Sequence, residues 1–318
     1  MRRRKKIGLA LGGGTMRGMT HIGVLEVLLE HKIPLDCIVG CSSGAIVAAA
    51  HACGQLGELK KIATSLKKKD RKKILDITLT GEGLIKGDKM KSLFEYLTAG
   101  KKFEDINHLE LAFVGTDALT GKEVVIKEGS IAEALSITTA LPGLSPPKRW
   151  KGKMVIDGGT AMMVPAKISY KIGAEKVIGV NVGVNRSFLT RVVGDVRKVL
   201  RKSALGRLAR PIIELEEKIL RADEKKFLGK AKKVMEKIHL LDDYEKGRFS
   251  FLEVYLLGLR AISKDYTKGL FSDSDCDVAI RPEVLHVKRT DVTKSHELIH
   301  EGRRATEEKM RDIKNLIN

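Results

Sequence analysis

Gly40-Cys41-Ser42-Ser43-Gly44 fits the pattern GxSxG, the spacing of a nucleophile elbow. A serine at the tip of a strand-to-helix turn is held with its hydroxyl projecting, and flanking glycines remove the Cβ atoms that would collide in so tight a turn. Ile38-Val39 before the motif reads as a strand, and the small residues Ala45 to Ala50 after it read as a helix. The amides just beyond Ser42 then sit at a helix N-terminus, where they favour a developing negative charge.

Two other stretches carry chemistry of the same kind. Gly12-Gly13-Gly14-Thr15-Met16-Arg17-Gly18 follows the apolar run Ile7 to Leu11 and precedes a helical pattern from His21 to His31. Such a glycine-rich turn aims backbone amides at one point, which suits a phosphate or an oxyanion. The phosphate motifs fit poorly. A Walker loop needs Gly-Lys-Ser/Thr where this chain has Gly18-Met19-Thr20, and the dinucleotide fingerprint lacks its third glycine. Asp157, followed by Gly158-Gly159, ends the strand-like run Met154-Val155-Ile156, so its carboxylate is placed to face a cleft; in isolation Asp-Gly-Gly is also a common turn. His21 reads as a packed helix-start residue more than as a base. His286, His296 and His300 follow in the chain order Ser, Asp, His and leave a triad open.

The elements that must position these residues follow from periodicity. Ile7 to Leu11, Leu109 to Val114, Glu123 to Lys127, Val177 to Val182 and Val278 to Pro282 read as strands, and Asp117 to Gly121 as a turn that pairs two of them. Residues 58 to 108 read as helices with exposed basic clusters, interrupted by a turn at Gly81-Glu82-Gly83-Leu84, Ile131 to Thr139 as a helix, and Glu297 to Ile317 as one amphipathic helix. Between Cys37 and Gly57 there is no charged residue, and about 20 such residues are long enough to span a bilayer. The serines, His51, Gln55 and four glycines in that run favour a buried strand-turn-helix instead.

At 318 residues and 43% hydrophobic, the chain can bury a substantial core as one large α/β domain or two smaller ones. Its 59 Lys+Arg against 40 Asp+Glu give a net charge of +19, which favours anionic surfaces. Aromatics are only 4% and no RNA- or DNA-binding signature appears, so nucleic acid is not an expected partner. Cys37, Cys41, Cys53 and Cys276 lack CxxC spacing and suggest a reduced, cytoplasmic protein without disulfides or a metal site. Asn185 to Leu240 is helical in pattern and holds 16 Lys+Arg against 7 Asp+Glu. Leu189, Val192, Val193, Val196, Val199 and Leu200 share one side of it, with Arg197, Lys198, Arg201 and Lys202 opposite. That face suits a helix covering a core with its lysines in water, and equally one lying on an anionic membrane.

Together, LALGGGTMRGMTHIGVLEVLLE, GCSSG, FVGTDALTGKEVVI, ALPGLSPP, VIDGG, DVAIRPE and ELIHEG resemble the patatin-like phospholipase family, in particular its bacterial and archaeal members. The resemblance covers most of the chain except the basic stretch. It implies an α/β, three-layer fold with a mostly parallel central sheet flanked by helices, one domain over 1–318, and a basic helical insertion over 185–262. It further implies a serine acyl hydrolase of the phospholipase A, lysophospholipase or carboxylesterase type, using a Ser-Asp dyad and no cofactor. Ser42 would be the nucleophile and Asp157 the general base. Gly13, Gly14, Thr15, Arg17 and Gly18 would form the oxyanion and substrate loop, and Gly40, Gly44, Gly158 and Gly159 would shape the turns. Two positions depart from the family. Thr15 stands where another glycine is usual, and Met163 where an asparagine often precedes Val-Pro. The partner implied is a lipid or acyl-ester substrate, with peripheral association at an anionic membrane as an added expectation. The alternative is a catalytically weak or inactive relative that binds anionic lipid or a partner through its basic helices.

Overall fold

The computed structural model describes residues 4–70, 77–80, 83–85, 88–118, 120–141, 145–183 and 271–317. The basic helical insertion expected over 185–262 lies outside the described residues.

β1 (Ile7–Leu11) alternates large and small residues, and this decides its two faces. Ile7, Leu9 and Leu11 enter the main core beneath α1 (Thr20–Glu30), while Ala10 packs on the opposite face with Cys37, Val164 and Ala174. β2 (Cys37–Cys41) and β9 (Lys176–Val180) pair in parallel with the two edges of β1. β10 (Val278–Ile280) continues the parallel sheet beyond β9, and β5 (Glu110–Asp117) continues it beyond β2. α2 (Ser43–Ala52) and α5 (Ile131–Thr138) add to the main core, whereas α6 (Ala166–Lys171) packs across β1, β2 and β9 with the smaller clusters. Helices therefore cover both faces of the sheet, as the resemblance implied.

The far end of the sheet is antiparallel. β6 (Glu123–Ile126) pairs with Phe113–Thr116 of β5, and β8 (Lys153–Asp157) with Gly115–Asp117. β7 (Lys148–Trp150) closes the edge on β8. Because β2 takes one edge of β5 over Glu110–Val114 and β6 takes the other, β8 must lie on the edge that β2 leaves free. Cys41 is then opposite Val114 and Asp157 opposite Gly115, adjacent positions along the same edge. This register brings the ends of β2 and β8 together.

Two segments differ from the periodicity reading. Between α3 (Leu56–Ser65) and α4 (Asp88–Thr98) the chain forms a small antiparallel pair, β3 (Ile77–Thr80) with β4 (Gly83–Ile85), where helices interrupted by a turn at Gly81 to Leu84 were expected. The alternation and β-branching of Ile77-Thr78-Leu79-Thr80 favour the strand. The C-terminal helix is two helices, α7 (Ser295–Glu308) and α8 (Met310–Ile317). Lys309 donates its N–H to the Thr306 carbonyl at 3.0 Å, and this tight turn lets Met310 and Ile313 reach the core.

α7 closes the main core by packing on α1 at backbone contact distance. A Cβ on Gly302 would collide with the Thr20 carbonyl, and one on Gly23 with the Ile299 carbonyl. Gly302→Ala is therefore expected to lower stability by about 1–3 kcal/mol in urea unfolding. Gly57→Ala on α3 should be neutral or slightly stabilising, because nothing lies within 4 Å of its Cβ position.

Candidate active site

β2 ends at Cys41 and α2 begins at Ser43, so Ser42 occupies the turn with φ 51 and ψ −122, in the left-handed half of backbone space. Backbone geometry of this kind is costly for any residue with a Cβ and is held by its surroundings. The flanking glycines explain how the turn fits. A Cβ on Gly40 would strike Ala45 at the start of α2, and one on Gly44 would strike the Leu11 carbonyl of β1. Ser42 is 8% exposed, and its amide donates to Thr138 Oγ1 at 3.1 Å.

Asp157 closes β8 and is 3% exposed. Oδ1 accepts from the Gly159 amide at 2.7 Å, while Oδ2 has no hydrogen-bond partner. Burial pushes the carboxyl up to about 6, against the opposing pull of the Ser42 side chain and the Gly159 amide. The Ser42 hydroxyl is thus close enough to favour the carboxylate, without meeting strict hydrogen-bond geometry to Oδ2; such bonds often tighten only when substrate arrives. Gly158 has no space for a side chain, since a Cβ there would strike the Val114 carbonyl.

The glycine loop lies beside both turns. Gly12 N–H donates to Val180 O and Gly13 N–H to Met163 O, each at 3.1 Å, and Gly14 N–H donates to Ser43 Oγ at 2.9 Å. Met16 N–H is taken by Arg289 O at 3.1 Å and Arg17 N–H by Gly14 O at 3.2 Å. Among the described residues no acceptor faces the Thr15 amide. Thr15 itself has φ 53, the strained conformation that the usual glycine would tolerate, and its hydroxyl reaches the carbonyls of Gly14 at 2.6 Å and Arg289 at 3.0 Å. Gly18 makes room for Ser43, whose Oγ would collide with a Cβ there.

Arg17 is buried, and its guanidinium is turned away from Ser42 toward the C-terminal segment. It donates to the carbonyls of Val287 at 2.9 Å, Gly183 at 3.1 Å and Leu285 at 2.7 Å. His21 is fully buried, with Nε2–H donating to Gly12 O at 2.7 Å; burial lowers it to about 4, so the ring is neutral and braces the loop. His286 is bonded to Glu297, while His296 and His300 are exposed on α7. Among the described residues no histidine bonds Ser42 or Asp157.

The structure thus brings together Ser42, Asp157, the glycine loop and all four turn glycines. Sequence reading missed the hydroxyls of Ser43, Thr116 and Thr138 and the Met163 carbonyl. Each acts across a large sequence separation, where no local pattern marks it.

Residues 9–170 match the family model described as patatin-like phospholipase. The chain belongs to this family. An uncharacterized NTE family protein of Mycobacterium tuberculosis (strain ATCC 25618 / H37Rv) is 30% identical over 176 residues, covering 55% of this chain and 49% of that protein. Patatin-like phospholipase domain-containing protein 6 of Mus musculus is 30% identical over 191 residues, covering 56% of this chain and 13% of that protein. The chain thus spans about half or less of the length of these relatives. Among solved structures, VipD from Legionella pneumophila aligns with a TM-score of 0.35 at 16% identity, over 65% of this chain and 56% of that one.

Proposed function

We propose that this member of the patatin-like phospholipase family is a serine acyl hydrolase acting on lipid esters, with Ser42 as nucleophile and Asp157 as general base. The observation that carries the reading is the juxtaposition, through the register of β2 and β8 on β5, of a strained, nearly buried serine with a buried carboxylate whose Oδ2 has no hydrogen-bond partner. Oδ2 takes the Ser42 hydroxyl proton as Oγ attacks the ester carbonyl carbon. The carbonyl oxygen becomes an oxyanion, for which the unspent Thr15 amide and the first amides of α2, at Ser43 and Gly44, are the available donors. When the tetrahedral intermediate collapses, the C–O bond to the alcohol breaks and Asp157 returns its proton to the departing oxygen. Water, deprotonated by the same carboxylate, then attacks the acyl-Ser42 ester, and the serine leaves with that proton to release the free acid.

Within this proposal, the Gly13 and Gly14 amides shape the loop instead of facing the oxyanion, because both are already bonded. The net charge of +19 favours an anionic membrane as the place where substrate is met. No helix among the described residues is long and apolar enough to cross a membrane. The test is a lipid panel of phospholipids, lysophospholipids and neutral glycerides incubated with the protein and with Ser42→Ala. Fatty acid released by the first and absent from the second supports the reading; equal release, or none from any ester, contradicts it.

A further inference from the structure

The strained turn at Ser42 creates a need that neither β2 nor α2 meets. With φ 51 the Ser42 amide leaves the β2 ladder, and as the residue before α2 it has no intrahelical acceptor. A buried amide without a partner is destabilising. Thr138, the last residue of α5 and fully buried, supplies the acceptor at 3.1 Å and donates its own hydroxyl to Val114 O at 2.5 Å. Val114 is the β5 residue paired with Cys41, so this bridge fixes Ser42 to the strand that also carries Asp157 in register.

Among the described residues, Thr138 differs from the other α-helical threonines whose hydroxyls are hydrogen-bonded. Thr64, Thr98 and Thr306 each donate back to the carbonyl four residues earlier, at 2.7 to 2.8 Å, and so does its neighbour Thr139 at the helix cap. Thr138 forgoes that local bond and reaches across to two other elements. The second turn has a counterpart. Thr116, also fully buried, donates to the Asp157 carbonyl at 2.9 Å and accepts from the Ala161 amide at 3.1 Å.

We infer that Thr138 and Thr116 are positioning residues, two buried hydroxyls anchored on β5, at the Val114 carbonyl and at position 116 itself, that hold Ser42 and Asp157 in mutual register. Neither touches the reacting atoms. This rests on the reading of Ser42 as nucleophile, since it assigns how that nucleophile is aimed.

The test compares Thr138→Val, which keeps the shape and removes the hydroxyl, with Thr138→Ser, which keeps the hydroxyl. Thr98→Val is the control, a buried threonine bonded only within its own helix. Two readouts are taken: kcat and KM on p-nitrophenyl butyrate, and hydrogen exchange at the Ser42 amide. Thr138→Val should lower kcat about 30-fold with KM within about twofold, and speed Ser42 exchange about tenfold. Thr138→Ser should stay close to the parent protein in both, and Thr98→Val should change thermal stability alone. If Thr138→Val is too unstable to purify, Thr138→Ala removes the same hydroxyl with less packing conflict. The inference is overturned if Thr138→Val matches Thr98→Val in kcat, if Thr138→Ser is as slow as Thr138→Val, or if Ser42 exchange is unchanged. A parent protein that hydrolyses no ester contradicts the nucleophile reading, and the exchange measurement still decides whether Thr138 holds the turn.

Discussion

Ser42→Ala and Asp157→Asn should each lower kcat/KM on a soluble ester by about a thousandfold or more. The size follows from the chemistry assigned to each atom. Alanine removes the only hydroxyl at the tip of the elbow. Asparagine keeps an oxygen to accept the Gly159 amide, so the turn is retained while the proton acceptor is lost. The two groups act on one proton, so the double variant should be no slower than Ser42→Ala alone. Rates that multiplied would mean that the two residues serve separate steps.

Asp157 links activity to stability with opposite signs. Its ordinary value is 3.8 and burial pushes it up to about 6 in the folded protein. The proposed base would be active only when ionised, so kcat/KM should fall about tenfold per pH unit below about 6 and level off above it. Stability moves the other way. A carboxyl raised on folding is better tolerated when neutral, so its contribution is intact below pH 3.8 and is lost as pH rises through about 6. At pH 7.5 the ionised, half-satisfied carboxylate then costs about 3 kcal/mol. Asp157→Asn should melt several degrees higher than the parent at pH 7.5, a gap that closes as pH falls toward 4. Thermal melts across that range check it. A variant less stable at every pH would show that the carboxylate is not held against its solvation preference.

The parts of the site written as local patterns were legible in the sequence. GxSxG predicts the strand-turn-helix around Ser42, and the observed collisions at Gly40 and Gly44 are the reason those positions are glycine. Thr15 is instructive because its departure from the family is visible in the sequence, and the structure gives it φ 53 with a hydroxyl tied to two carbonyls. What stayed hidden depends on the order and direction of strands. β8 reads as a strand from Met154-Val155-Ile156, but its antiparallel placement on the edge vacated by β2 is a tertiary fact, and that placement brings Asp157 to Ser42. Thr138 lies 96 positions from the amide it holds and reads as an ordinary helix-end threonine. The same limit explains β3 and β4, where short β-branched alternation sat inside a stretch rich in helical spacing, and the break at Lys309, which is set by what Met310 and Ile313 bury.

The central claim is that Ser42 is a nucleophile activated by Asp157. Peptide mapping by mass spectrometry after treatment with a fluorophosphonate tests it most directly. The expected result is one adduct, on Ser42, whose rate of formation collapses in Asp157→Asn and follows the acid limb near pH 6. An unlabelled protein, a label on any other serine, or undiminished labelling of Ser42 in Asp157→Asn would contradict it.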